Sequence, residues 1–144
     1  MILKKTIRLI LVGMVVSIMS ACHIIEVNPA GKTTQIKNSV LIYMAANNSL
    51  SSYVEPNKEQ MFNSTIPGKN DDSVLLIFTH IKGSEDAPSL RRYYKDSEGV
   101  VHGELIASYP EVSFSSADAD CLKRVLDDAD RRFPAQHRGL VLWS

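Results

Sequence analysis

The sequence is short of cysteine, of patterned glycine and of net charge, and each shortage removes a class of function. Two cysteines stand among 144 residues, Cys22 and Cys121, too few for a disulfide-stapled scaffold. No CxxC, no HExxH and no pair of histidines at helical spacing occurs, so no metal is expected. The seven glycines are scattered and build neither GxGxxG nor a Walker loop, so no phosphate-bearing cofactor is expected either. Basic and acidic side chains balance at 16 each, which gives no electrostatic reason to expect nucleic acid. No apolar run approaches the roughly 20 residues of a membrane-spanning helix.

What is present has ordinary globular proportions, 44% hydrophobic and 22% charged, at a length suited to one domain. The charge is uneven along the chain. Residues 1–21 carry Lys4, Lys5 and Arg8 and no acid, and the rest is mildly acidic. Leu9 to Met19 is an almost unbroken apolar run of eleven residues, about 16 Å of helix, half of what a bilayer needs. A cationic start, a short apolar run and then small residues describe an export signal.

Met19-Ser20-Ala21-Cys22 resembles a bacterial lipobox. That resemblance implies that Cys22 becomes the first mature residue, its thiol takes the lipid, and the chain is anchored to a membrane of the bacterial cell envelope. An ordinary signal peptide with an incidental cysteine, or a buried N-terminal helix, are the competing readings. If Cys22 is acylated, Cys121 is left without a disulfide partner. Cys121 falls within a helical pattern and reads as a small hydrophobe; nothing in its spacing from His137 favours a nucleophile pair. The organisation expected is a signal over 1–21, a polar spacer over 22–38 with its breaker at Pro29-Ala30-Gly31, and a folded body over 39–144.

The body reads as α/β. Ser39 to Ala45 and Val74 to Thr79 are continuous apolar runs with β-branched and aromatic residues, the pattern of strands buried on both faces. Between them Ala46-Asn47-Asn48-Ser49 breaks the first run, and Asn and Ser are suited to cap a helix over about Leu50 to Thr65. Leu50, Tyr53, Met61 and Phe62 are its expected anchors, and Pro56 interrupts it unless it opens a turn. Ser89–Tyr94 and Val100–Ile106 read as the arms of an accessory, half-exposed hairpin. Leu122, Val125, Leu126, Ala129 and Phe133 lie on one helical stripe behind the start signal Ser115-Ser116-Asp118, and Pro134 ends it. Leu140-Val141-Leu142-Trp143 is a third core strand, followed by Ser144. In open parallel sheets ligands collect beyond the carboxyl ends of the strands, so Asn47, Asn48 and Ser144 are the candidate pocket-lining residues. Turn formation is an equally good account of the two asparagines.

Three segments of this body resemble the clostripain-like (C11) cysteine peptidases. They are Tyr43-Met44-Ala45-Ala46-Asn47-Asn48-Ser49-Leu50, Leu90-Arg91-Arg92-Tyr93-Tyr94, and Phe133-Pro134-Ala135 with Gly139-Leu140-Val141-Leu142-Trp143-Ser144. The resemblance runs from about Val40 to Ser144 and implies a caspase/gingipain-type α/β sandwich with a mostly parallel sheet. Three core strands, an accessory hairpin and two helices would be present, and the sheet would be incomplete at the C-terminus. It further implies a Cys thiolate nucleophile, a His general acid/base and backbone donors for the oxyanion, acting on peptides, often after basic residues. In that family a His-Gly pair follows Trp-Ser directly and supplies the catalytic histidine, and the nucleophilic cysteine ends a later strand. Neither falls within these 144 residues, so no catalytic residue is assigned here and the chain alone is expected to be inactive.

His102-Gly103 imitates the His-Gly pair but lies on the hairpin, where it reads as a solvated histidine. His80 ends the second core strand at the functional edge. Arg91-Arg92 and Arg131-Arg132 read as solvated pairs. The alternative to a peptidase N-terminal portion is a complete, non-catalytic lipoprotein that binds a ligand. An unfinished sheet with an apolar edge argues against it. A solute-binding lipoprotein of unrelated α/β fold would need a pocket from three strand ends.

Overall fold

A computed structural model describes residues 35–111 and 113–144. The predicted signal over 1–21, Cys22 and most of the spacer lie outside the described residues. Five strands form one mixed sheet: β1 (Asn38–Ala46), β2 (Ser73–Ile81), β3 (Ser89–Lys95), β4 (Val101–Ser108) and β5 (His137–Trp143), in the order β4-β3-β2-β1-β5. A 3₁₀ turn (Ser51–Tyr53) leads into α1 (Val54–Phe62), and α2 (Ala119–Arg132) links β4 to β5. Both β2 and β5 run parallel to β1, and the β3–β4 hairpin continues the sheet antiparallel beyond β2. The hairpin is therefore part of the main sheet.

The apolar runs form strands because alternate residues meet different cores. On one face Leu41, Tyr43, Val74, Leu76 and Phe78 pack with Val125, Ala129 and Phe133 of α2. On the other Met44, Ala46, Ile77 and Tyr93 pack with Val54, Met61 and Phe62 of α1. The α2 stripe thus lies as its 3.6-residue period requires, with Leu122 and Leu126 at its margin.

Several expectations change. β1 begins at Asn38, and Lys37 N–H already donates to the Asp72 carbonyl at 2.6 Å. β1 is not buried throughout, since Val40 is 38% exposed. The helix after it is shorter than Leu50–Thr65 because the chain first winds a 3₁₀ turn. Pro56 is then the third residue of α1, where its missing N–H costs no helical bond. Tyr53 is 57% exposed and Val54 is the buried anchor. Asn and Ser make no side-chain cap at either helix.

Arg92 is not solvated. It is 6% exposed, stacks between Tyr94 and Phe133 at 5.4 and 5.3 Å, and donates from Nη2 to the Lys69 carbonyl at 2.5 Å. Its aliphatic stem and flat guanidinium fill an aromatic slot that a charge count cannot reveal. Its Nε has no hydrogen-bond partner among the described residues. Arg131 and Arg132 are exposed as expected. Next to Arg92, the Tyr93 ring lies over Gly103, where an added Cβ would stand 2.9 Å from Tyr93 Cε1. Only a glycine admits that ring.

The β1 flanks are unequal. Toward β2 the sheet is closed, while β5 is exposed along most of its length, with Leu140, Val141 and Leu142 in solvent. The apolar edge expected from the sequence is the β5 edge.

Candidate functional site at the carboxyl edge of the sheet

The topology selects one place for chemistry. From β1 the chain crosses through α1 to β2 on one side, and later through α2 to β5 on the other. The two helices cover opposite faces. The strand order therefore reverses between β1 and β5, and the space beyond their carboxyl ends is the usual ligand position in such sheets. Asn47 and Asn48 follow β1 there. Ser144 follows Trp143, which pairs with Met44 of β1. The three pocket-lining candidates thus come together at one strand-order reversal, although 96 positions separate Asn48 from Ser144 in the chain.

Their local roles differ. Asn48 builds the turn: its Oδ1 accepts from Leu50 N–H at 2.8 Å and its Nδ2 donates to the Ala45 carbonyl at 3.1 Å. This is the Asx turn that lets a strand stop sharply. Asn47 is exposed and its side chain makes no hydrogen bond with described residues; Ser144 is likewise exposed. Two clefts lie elsewhere. One of about 290 Å³ sits on the α1 face, lined by Lys58, Thr79, Arg91, Tyr93 and Leu105 among others. Another of about 320 Å³ lies at Thr65–Ser73. Neither is lined by Asn47, Asn48 or Ser144.

His80 ends on the same edge, on the α2 face. Its Nδ1 lies 3.0 Å from Ser116 Oγ, and its ring meets Phe114 edge-on at 6.2 Å. Burial lowers its proton affinity below the ordinary histidine value. Tyr43 OH donates to the Ser116 carbonyl at 3.0 Å. Burial first, and then Cys121 and Asp118 nearby, push the Tyr43 phenol up to about 12, so it remains a donor at any physiological pH. Ser115-Ser116 does not cap α2 as the sequence suggests; the oxygens of Ser116 are taken by Tyr43 and His80. Asp118 occupies the N-cap without a side-chain cap bond.

The remaining candidates separate cleanly. Cys121 is half-buried against the α2-side core. His137 opens β5 beside Asn38 at the amino end of the sheet, while Cys121 is on the first turn of α2 at the opposite end, so the two do not form a pair. His102 is on the hairpin, bonded through Nε2 to Asp96 Oδ2 at 2.7 Å and stacked on Tyr94. That bond holds the Asp96 carboxyl below its ordinary value. Among the described residues no group of three or more His, Cys, Asp or Glu converges on a metal position. No described helix is long and apolar enough to cross a membrane.

The Tyr43–Ser116 bond was not foreseen. Its signal was available as a tyrosine in a run of aliphatic core residues, where a buried hydroxyl must find an acceptor.

The clostripain family model matches residues 42–144. A cysteine protease of B. fragilis is 34% identical, with a TM-score of 0.64, over 75% of this chain and 87% of that one. A secreted C11 cysteine protease from Bacteroides thetaiotaomicron, solved with an irreversible peptide inhibitor, is also 34% identical, with a TM-score of 0.63 over 75% of this chain. An inactive zymogen C11 protease from Parabacteroides distasonis is 31% identical at a TM-score of 0.63, over 74% of this chain. The match spans only 29% and 30% of the latter two chains. No curated protein matches.

Proposed function

Because the chain belongs to the clostripain family of cysteine peptidases, we propose that it is the N-terminal portion of an exported cysteine endopeptidase held at the bacterial envelope by a lipid on Cys22. In this reading Asn47, Asn48 and Ser144 line the substrate crevice at the strand-order reversal. The dyad is supplied by residues following Ser144, with the catalytic histidine next to the Trp143-Ser144 pair. The thiolate attacks the peptide carbonyl, backbone N–H groups stabilise the oxyanion, and the imidazolium gives its proton to the leaving amine. Cleavage after basic residues is the expected preference.

The observation that supports this most directly is the position of Trp143-Ser144. The pair that precedes the histidine in the family ends β5 beside β1, at the reversal, where a catalytic group would meet substrate. The bare apolar β5 edge supports it too, because a further strand of a longer domain would cover it.

The test is to read the coding sequence after the Ser144 codon and assay the encoded protein on fluorogenic peptides ending in Lys or Arg. Expected is a His-Gly pair at once, a strand-end cysteine later, and hydrolysis by the longer product but not by the 144-residue chain. A stop codon with no such sequence behind it would overturn the reading in favour of a lipid-anchored binding module. The anchor is tested separately by metabolic labelling with a fatty acid, which Cys22→Ser should abolish.

A further inference from the structure

Among the described residues of the segment between β4 and α2, 109–111 and 113–118, few backbone bonds reach the sheet. Tyr109 N–H donates to the Pro88 carbonyl at 2.8 Å, but the bonds of Phe114 to Glu111 and of Asp118 to Ser115 stay within the segment. Side chains hold it instead. Phe114 and Tyr109 stack at 4.9 Å and meet Phe78 at 5.8 and 5.9 Å. Ser116, buried, is gripped at two atoms by side chains of neighbouring strands, Tyr43 at its carbonyl and His80 at its hydroxyl.

We propose that His80 is a positioning residue: together with Tyr43 it clamps Ser116, and so fixes the start of α2 as a rigid wall of the carboxyl-edge crevice. The clamp stands on geometry alone; its service to substrate rests on the peptidase reading. From Ser116 the chain runs through α2 directly into β5, and Arg138 of β5 is paired to Asp130 of α2 at 2.6 Å. A shift at Ser116 is therefore passed by a stiff helix to the strand that ends in Trp143-Ser144.

Because burial favours the neutral ring, acid is expected to loosen the clamp. A neutral imidazole either accepts the Ser116 hydroxyl proton at Nδ1 or donates to it, whereas the imidazolium only donates and is disfavoured by burial. The titratable groups on the elements around it are Tyr43 of β1, Tyr109 and Glu111 of the segment, and Asp118 and Cys121 at the start of α2. None of them offsets that burial effect, and Cys121 and Asp118 act on Tyr43 instead.

Hydrogen exchange of the 144-residue chain tests the clamp without any assay of catalysis. In His80→Leu and Ser116→Ala the amides of residues 114–121 should exchange about tenfold faster, the equivalent of one lost hydrogen bond. Those of β1 and β2 should not change. His80→Asn, whose amide takes the place of Nδ1, should restore protection, and the double variant should exchange no faster than either single one. Wild-type protection of 114–121 should fall below about pH 6.5, and that of His80→Asn should not. Unchanged exchange in Ser116→Ala, which deletes one oxygen and leaves the fold intact, overturns the clamp. So does a His80→Asn variant as unprotected as His80→Leu. In the longer peptidase product, His80→Leu should lower kcat/KM for peptide and His80→Asn should restore it, and an unchanged kcat/KM in His80→Leu overturns the wall. A wild type that cleaves nothing speaks against the peptidase reading and leaves the exchange result standing.

Discussion

The two flanks of β1 are written in nearly the same alphabet and behave differently. Val74-Leu75-Leu76-Ile77-Phe78 on β2 and Leu140-Val141-Leu142-Trp143 on β5 are both continuous apolar runs, and both pair in parallel with β1. Yet Leu76 and Phe78 are wholly buried, while Leu142 is 64% exposed. The difference is one of neighbours. β2 lies between two strands and is roofed by α2 and the Tyr109–Phe114 aromatic group on one face and by α1 on the other. β5 has a strand on one side only. An apolar run states that a residue can be buried, and the rest of the fold decides whether it is.

The sharpest test of that contrast is truncation on each flank. Phe78 stacks on Tyr43 at 4.4 Å, so Phe78→Ala should cost about 3–5 kcal/mol of unfolding free energy. Leu142→Ala should cost about 0.5 kcal/mol or less. Urea denaturation of the two variants checks both, and equal costs would mean that β5 is covered in solution.

A smaller effect probes what holds the buried flank. The Tyr109 hydroxyl donates to Asp128 Oδ2 at 2.9 Å, and burial raises its proton affinity above that of an ordinary tyrosine. Tyr109→Phe should lose about 1 kcal/mol by the same measurement. A loss as large as that of Phe78→Ala would show that the ring had moved.

The bare flank should show itself in association more than in stability. Leu142→Lys places a charge on the apolar edge, which blocks strand-to-strand pairing between chains. It should lower the associated fraction seen by light scattering several-fold and leave the urea midpoint nearly unchanged.

The smallest effect expected is a pH dependence confined to the β2 side. Because burial makes His80 a weaker base in the folded chain, the unfolded chain takes up the proton first as pH falls. The stability held by neutral His80 is complete above its unfolded value, near pH 6.5. It is lost progressively as pH drops through the lower folded value. His80→Asn should flatten the stability profile in that window, and an unchanged slope would exclude His80 as its source.

Much of this was readable in the residues. The apolar runs placed all three parallel strands, and the Leu122–Phe133 spacing placed α2 with the correct face inward. The Trp143-Ser144 and Asn-rich signatures led to the family. The burial of Arg92 is not legible, because two adjacent arginines on a mixed-polarity strand look solvated. Only the crossing of α2 brings Phe133 over it. The start of the helix after β1 is not legible, because Asn48 spends its side chain on the turn and the chain winds a 3₁₀ turn before α1. The sequence shows that the Tyr43 hydroxyl needs an acceptor but not that Ser116 supplies it, since the three residues of the clamp are 36 or more positions apart.

By itself, then, the sequence determined which segments are strands, which stripe of α2 is apolar, and which family the body resembles. These are properties of short-range period and local composition, which a strand or helix expresses wherever it lies. Tertiary structure alone decided that β5 stands on the far side of β1 from β2. It also decided that Asn47, Asn48 and Ser144 share one strand-order reversal, that Arg92 is buried, and that Tyr43 and His80 meet at Ser116. Each of these depends on where a crossover sets its strand down, and that position is fixed by which faces can be buried together.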